Sequence, residues 1–234
     1  MENENVLTQA DVEEELRLSS LQGRSADFKG KVLEGFLFQK KIIEGDLDLT
    51  GTVILSSVSL EETIIKGNLN LSQAIIKGSL NFGSGMIDGN LNLNEANIKG
   101  AVNFVGIKVK ESLNFEGLSV AGFLGLAKIQ VKKDANLRNI KVNDSYRAGS
   151  ITKGDVYLRG AGISGNLDFE NAFIEGSLDM MGAFIGGDAN LKLTRIENIF
   201  ILKESNIKGK LILEDIQYKE IIKDAKLSNF FGPK

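Results

Sequence analysis

Residues 64–118 divide into five lines of eleven: IIKGNLNLSQA, IIKGSLNFGSG, MIDGNLNLNEA, NIKGAVNFVGI and KVKESLNFEGL. They are one unit written five times, and the flanking chain repeats it in a more worn form. With the usual Gly taken as position 1, units start at Glu34, Gly45, Ser56 and onward to Glu220. Every step is eleven long except the ten from Asp144 to Gly154, and eleven of the eighteen starts are Gly. Position 5 is Leu, Phe or Met at 16 of 18 starts, failing at Ala148 and Asp224. Position 10, two places before the next start, is Ile or Val in 15 of 17 units, failing at Thr152 and Tyr218.

Position 3 is mostly Leu or Val, and position 8 is small or Ile. Positions 3 and 5 therefore alternate, as do 8 and 10, which is the signature of short strands with every second side chain inward. A helix of 3.6 residues per turn does not keep those four positions on one face through so many units. The spacing predicts an all-β chain, a parallel β-solenoid in which each coil's core rests on its neighbours'. Two units of eleven close one four-sided coil. About eight coils spaced by roughly 4.8 Å make a rod of about 40 Å. Gly at position 1 is expected at a corner of positive φ.

Three segments follow. Residues 1–22 read as an acidic lead-in and a short helix: Thr8 with Asp11 makes a capping-box start, Val12, Leu16 and Leu21 an apolar edge, and Gly23 the stop. Residues 23–222 form the solenoid, and 223–234 a C-terminal tail that caps it.

Ala26-Asp27-Phe28-Lys29-Gly30 fits the unit A-[D/N]-[L/F]-x-x outright. Leu69-Asn70-Leu71-Ser72-Gln73 and Ala74-Ile75-Ile76-Lys77-Gly78 are two further copies, with Leu for Ala in the first and Ile-Ile at the second and third places of the next. In these residues the chain resembles pentapeptide-repeat proteins over about residues 24–222, with Ser79 as one residue extra per two copies. The resemblance implies a right-handed quadrilateral β-helix. The extra residue implies a wider coil with a bulge at one corner of each unit.

The chain has no Cys and no His, which removes disulfides, thiolate metal sites and most nucleophile–base pairs. We expect no catalytic, cofactor or metal site and no enzyme activity. Asp168 and Asp179 both occupy outward position 4, but one unit apart they fall on different faces. The net charge is −3; residues 1–17 alone carry −5, so the remainder is +2. A body so near neutrality argues against nucleic acid as a partner. No apolar run spans a bilayer and residues 1–9 carry no basic-then-apolar leader, so a cytoplasmic location is expected.

Two polar rows and one apolar set face outward. Asn70, Asn81, Asn92, Asn103, Asn114, Asn136 and Asn190 fill position 4 and are expected to hydrogen-bond along the rod. On a coil of two units Lys66, Asp88, Lys110, Lys132, Lys153, Glu175 and Glu197 share one edge, a solvated border that discourages lateral pairing. Apolar residues at outward positions mark contacts: Ile42, Ile64, Met86, Phe173 and Phe184 at position 9, and Ile201 and Ile212 at position 4. With Phe230 and Phe231 of the tail, these are the candidate contact residues, covered by the chain's own ends or by a partner. The expected function is a non-catalytic scaffold for an unknown protein partner, with a homodimer through the C-terminal end as one form. The alternatives are a DNA-mimicking modulator of a type II topoisomerase, which the resemblance implies, and a self-assembling filament.

Overall fold

The computed structural model describes residues 6–143 and 154–224. The chain climbs in coils of four two-residue strands, each paired in parallel with its counterpart one coil away. The first wall stacks nine strands from Ala26–Asp27 to Leu211–Ile212, and the fourth stacks eight from Ile42–Ile43 to Asn206–Ile207. The second wall begins at Val32–Leu33 and the third at Phe36–Leu37. These two merge into one 16-stranded sheet through the seven-residue strand Arg195–Ile201, which turns the corner between them. Strand partners sit two repeat units apart in the chain, as Leu69, Leu91 and Leu113 do, so two units make one coil and about eight coils make the rod.

The alternation of the sequence becomes the inside and outside of this tube. Leu91 and Leu93 are 0 % exposed, whereas Asn92 between them faces out. Position 5 fills the centre: Leu71, Phe82, Leu93, Phe104 and Phe115 are all buried. The rings of Phe104 and Phe115, from opposite corners of one coil, meet at 5.8 Å. Each fully buried Leu or Phe contributes about 1.5–3 kcal/mol, and it does so only because another coil lies above and below it.

The two corners of each unit differ. Four residues separate Leu69–Asn70 from Ile75–Ile76, but three separate Ile76 from Leu80, which accommodates the odd residue of the eleven. The four-residue corner is a type II turn. The Leu71 carbonyl accepts from the Ala74 N–H at 3.1 Å, and Gln73 has φ 58°. Position 7 is where the backbone is left-handed in unit after unit; at position 1 only Gly154, among the described residues, has a positive φ. Lys40, Glu62, Gln73, Ser84, Glu95, Lys128, Asn139, Asn171, Leu193, Glu204 and Asp215 all adopt φ between 53° and 61° at position 7.

Gly at position 1 answers a different demand. A Cβ on Gly67 would lie 2.1 Å from Asp46 Oδ1, and one on Gly89 would lie 2.5 Å from Asn68 Oδ1 and 2.8 Å from the Gly67 carbonyl oxygen. The side chain of position 2 folds over the Gly of the next coil and accepts that coil's position-2 N–H. Asn68 N–H donates to Asp46 Oδ1 at 2.7 Å, and Asn90 N–H to Asn68 Oδ1 at 2.8 Å. Where Glu111 replaces Gly, the equivalent bond from Ser112 to Asn90 is 3.1 Å. The glycine answers the close approach of the coil below, not a left-handed backbone.

The ten-residue step is not a short unit. Val156–Tyr157 pairs with Leu124–Gly125, and Asn166 N–H donates to Asp134 Oδ1 across 32 positions, where the same bond from Asn90 to Asn68 crosses 22. The stack proceeds from Asn143 to Gly154 as if residues 144–153 were an insertion at the corner between the second and third walls. Ala148 and Thr152, the exceptions in the rows, lie outside the described residues. The lysine edge is corrected accordingly: Lys66, Asp88, Lys110 and Lys132 are followed by Ser164, since the Ser164 N–H donates to Val131 O. Glu175 and Glu197 stand on another edge, and Lys153 lies outside the described residues.

The helix α1, Gln9–Gln22, begins with the expected capping box, Thr8 and Asp11 bonding reciprocally, and ends on left-handed Gly23. It closes the end of the tube. Val12 and Leu16 are buried in the core, whereas Leu21 is 72 % exposed and Ser19 takes its place on the inner edge. The corner geometry yields a paired test. Gly89→Ala forces a Cβ into the coil below and is expected to cost roughly 1–3 kcal/mol. Leu193→Gly relieves a left-handed side chain on a half-exposed corner and is expected to gain up to about 1 kcal/mol, the strain released less the added chain entropy. Denaturant midpoints of the two variants check both signs.

Candidate functional site

The outer faces of the four walls are chemically distinct. The first wall is a double polar ladder. Each described Asn at position 4 of this wall accepts the N–H two residues on, which holds the type II turn, and Asn70 and Asn114 also accept the amide of the Asn one coil further. Asn70 Oδ1 receives Ser72 N–H at 3.1 Å and Asn92 Nδ2 at 3.2 Å. Asn136 to Asn114 and Asn190 to Asp168 repeat the second bond at 3.1 Å. The position-2 row of Asp46, Asn68 and Asn90 runs beside it and is a row the sequence reading misses. Its signal is the residue after each Gly, repeatedly Asn, Asp or Ser. Burial pushes the Asp48 carboxyl up, but bonds from Thr50 and the ammonium of Lys29 at 3.1 Å outweigh it and hold the group below its ordinary value.

The third wall carries the Asn81–Asn103 ladder and then an aromatic and charged stretch. Tyr157 donates to Asp155 at 2.8 Å and packs edge-on to Phe123; burial first, then Asp155, pushes its phenol up to about 12. Asp179, on this wall, is 5 % exposed and held by Arg159, while Asp168 lies on the first wall. The two carboxylates are on opposite faces and do not form a catalytic pair. Among the described residues no group of three or more His, Cys, Asp or Glu is arranged to hold a metal ion.

The outward apolar residues separate into several places. Ile42, Ile64 and Met86 stand in register on the fourth wall, with Ile42 54 % exposed. Phe184 is further along the same row, and Lys108, Gln130 and Gly162 lie between. Val53 and Ile75 form a second strip on the opposite, second wall, where Phe173 also lies beneath the Arg195 guanidinium at 5.8 Å. Phe173 and Phe184 therefore belong to opposite walls. So do Ile201, on the third wall, and Ile212, on the first. Ile201 is paired with Ile222 of the strand Gln217–Ile222, and Ile221 packs on the core, so this strand adds one further course to the second and third walls. Phe230 and Phe231 lie outside the described residues.

Among the described residues the N-terminal helix packs on the first and third walls, not along the fourth. The N-terminal segment pairs with strand edges at the tube's end. Leu7 bridges to Leu33, and the Gln9 side-chain amide mimics a strand, donating to Leu37 O and accepting from Leu37 N–H, both at 2.9 Å. Asp11, held below its ordinary pKa by the Thr8 N–H and hydroxyl, supports the helix above its unfolded pKa. That support is lost as pH falls through the lowered folded value. No helix among the described residues is long and apolar enough to cross a membrane. No family model, no curated protein and no solved structure matches this chain.

If α1 is an end plug, deleting residues 1–22 keeps the β signal in circular dichroism but bares the first coil's core and its strand edges. Hydrophobic dye binding and concentration-dependent self-association are both expected to rise. Unchanged dye binding and unchanged size would show that the helix closes nothing.

Proposed function

We propose that this chain is a non-catalytic scaffold, a variant of the pentapeptide-repeat type, that binds a protein partner along its fourth wall. One observation carries the reading. Ile42, Ile64 and Met86 form an in-register apolar row on an outer face, and the helix packs elsewhere. Apolar side chains at outward positions gain nothing from the solenoid core, since the inward positions beside them already fill it. Their transfer from water needs another surface. The first wall is a contrasting face, with its amides engaged in ladders that stabilise the rod itself.

A rod suits such a role. Its rows repeat at a fixed spacing of about 4.8 Å, so a partner reads a rigid surface with little ordering cost in the scaffold. The resemblance to topoisomerase-protecting rods offers a rival, and a supercoiling assay with the purified chain separates the two. The scaffold reading predicts no effect on a type II topoisomerase.

The direct test is a photoreactive amino acid placed in native-host cells at Ile64 or, on the first wall, at Asn92. Discrete protein adducts from position 64 and none from position 92 are expected. Adducts from neither position, or equally from both, contradict a fourth-wall contact. Adducts of twice the chain's own mass replace a foreign partner by a second copy.

A further inference from the structure

The fourth wall also carries a groove that the repeat does not require. Its outer surface has two ridges, Met86, Lys108, Gln130 and Phe184 along one row and Lys110, Lys132 and Ser164 along the other. The floor between them is the backbone at Val109 and Val131, whose side chains point into the core and are 2 % exposed. The hollow measures about 330 Å³, within the range of small-molecule sites, roughly 300–1,000 Å³. From Met86 to Phe184 it spans four strand spacings, about 19 Å.

Gly162 opens this groove. Its φ is not in the left-handed region, and a Cβ there would meet only the Ile129 carbonyl oxygen, at 4.0 Å. Neither backbone conformation nor coil stacking calls for glycine at this position, in contrast to Gly67 and Gly89. A side chain at 162 would simply fill the space beside Phe184, which is 40 % exposed. In the middle of the groove, between Met86 and Gly162, stand the lysines. Lys110 is 2.9 Å from Asp88, but Lys108 and Lys132 have no ion-pair partner among the described residues. Two unpaired ammonium groups thus stand next to an elongated apolar trough.

We propose that this groove binds a free long-chain carboxylate, the acyl chain lying over Gly162 against Phe184 and the carboxylate between Lys108 and Lys132. An inorganic anion leaves the apolar part of the trough wet, and a cationic amphiphile meets the lysines with like charge, so neither complements the groove. From Lys108 to Phe184 is three strand spacings, about 14 Å, and a narrow trough with its charge at the middle and Phe184 at the end of one arm fits a single extended chain. The site does not include Ile42 or Ile64, and its failure leaves the scaffold reading where it stands.

Calorimetric titration of the full chain with dodecanoate, below its micelle concentration, tests the site, with dodecyltrimethylammonium as the control. Saturable one-to-one binding of dodecanoate and none of the cation is expected. Gly162→Leu, with its melting midpoint unchanged, is expected to weaken dodecanoate binding at least ten-fold. The double variant Lys108→Gln, Lys132→Gln is expected to do the same and keeps the test valid if Gly162→Leu misfolds. No saturable binding, equal binding of the cation, or binding indifferent to a folded variant overturns the proposal. So does association with phosphatidylglycerol vesicles without binding of monomeric dodecanoate, which moves the surface to a membrane.

Discussion

At most coils of this solenoid one corner lies so close to the coil beneath that glycine takes it, and where Glu111 stands there instead the inter-coil bond is longer. At Gly67 and Gly89 the space a Cβ would occupy is taken by the side chain of Asp46 or Asn68. The same atoms bond the next coil's N–H. Glycine and the polar residue after it thus act as a pair across coils, one vacating space and the other using it. This contact fixes the register of each coil on the last. With the register fixed, inward Leu and Ile rows stack on their own kind and the outward amides come within reach of one another. Parallel sheets usually have both faces covered. Here a one-sided parallel sheet persists because the tube supplies the covered face and the Asn ladders help to order the wet one.

The period of eleven makes much of this legible. Inward rows, the two-unit coil, the Asn ladder and the Thr8–Asp11 start of the helix can all be read from residue types and spacing. The left-handed corner cannot. Position 7 is held by Gln73, Glu95, Lys128 or Leu193, types with no preference for positive φ. Their conformation is imposed by the type II turn and the stacked coils, a tertiary demand that overrides local preference. Glycine misleads for the same reason, since it serves both conformation and close approach, and only the coil below shows which.

The insertion is hidden by its length. Ten residues resemble a unit short by one, yet Ala148 and Thr152 break two rows within that single step. That coincidence is the available signal. Overlooking it shifts every later residue by one unit, that is to the opposite wall, which is why Glu175 and Glu197 stand on a different edge from the one the period predicts. The candidate contacts suffer from a related ambiguity: rows read one unit at a time do not separate opposite walls. Ile42, Ile64 and Met86 share a face because they are two units apart, whereas Ile201 and Ile212, one unit apart, do not. The groove at Gly162 is less legible still, because it depends on which glycine the fold does not need.

Stacked coils turn the two-residue alternation into an interior and an exterior. Neighbouring residues 91 and 92 test it within one strand. Leu91 is 0 % exposed, and Asn92 faces out, bonded to Asn70 and to the Asn94 N–H. Equilibrium denaturation of Leu91→Asp and Asn92→Asp measures the difference directly. Leu91→Asp buries an unpaired carboxylate among aliphatic rows and should cost more than about 4 kcal/mol or prevent folding. Asn92→Asp forfeits one amide donor on a wet face and should cost about 1 kcal/mol. Equal destabilisation by the two substitutions, or a larger loss from Asn92→Asp, would contradict the stacked-coil architecture.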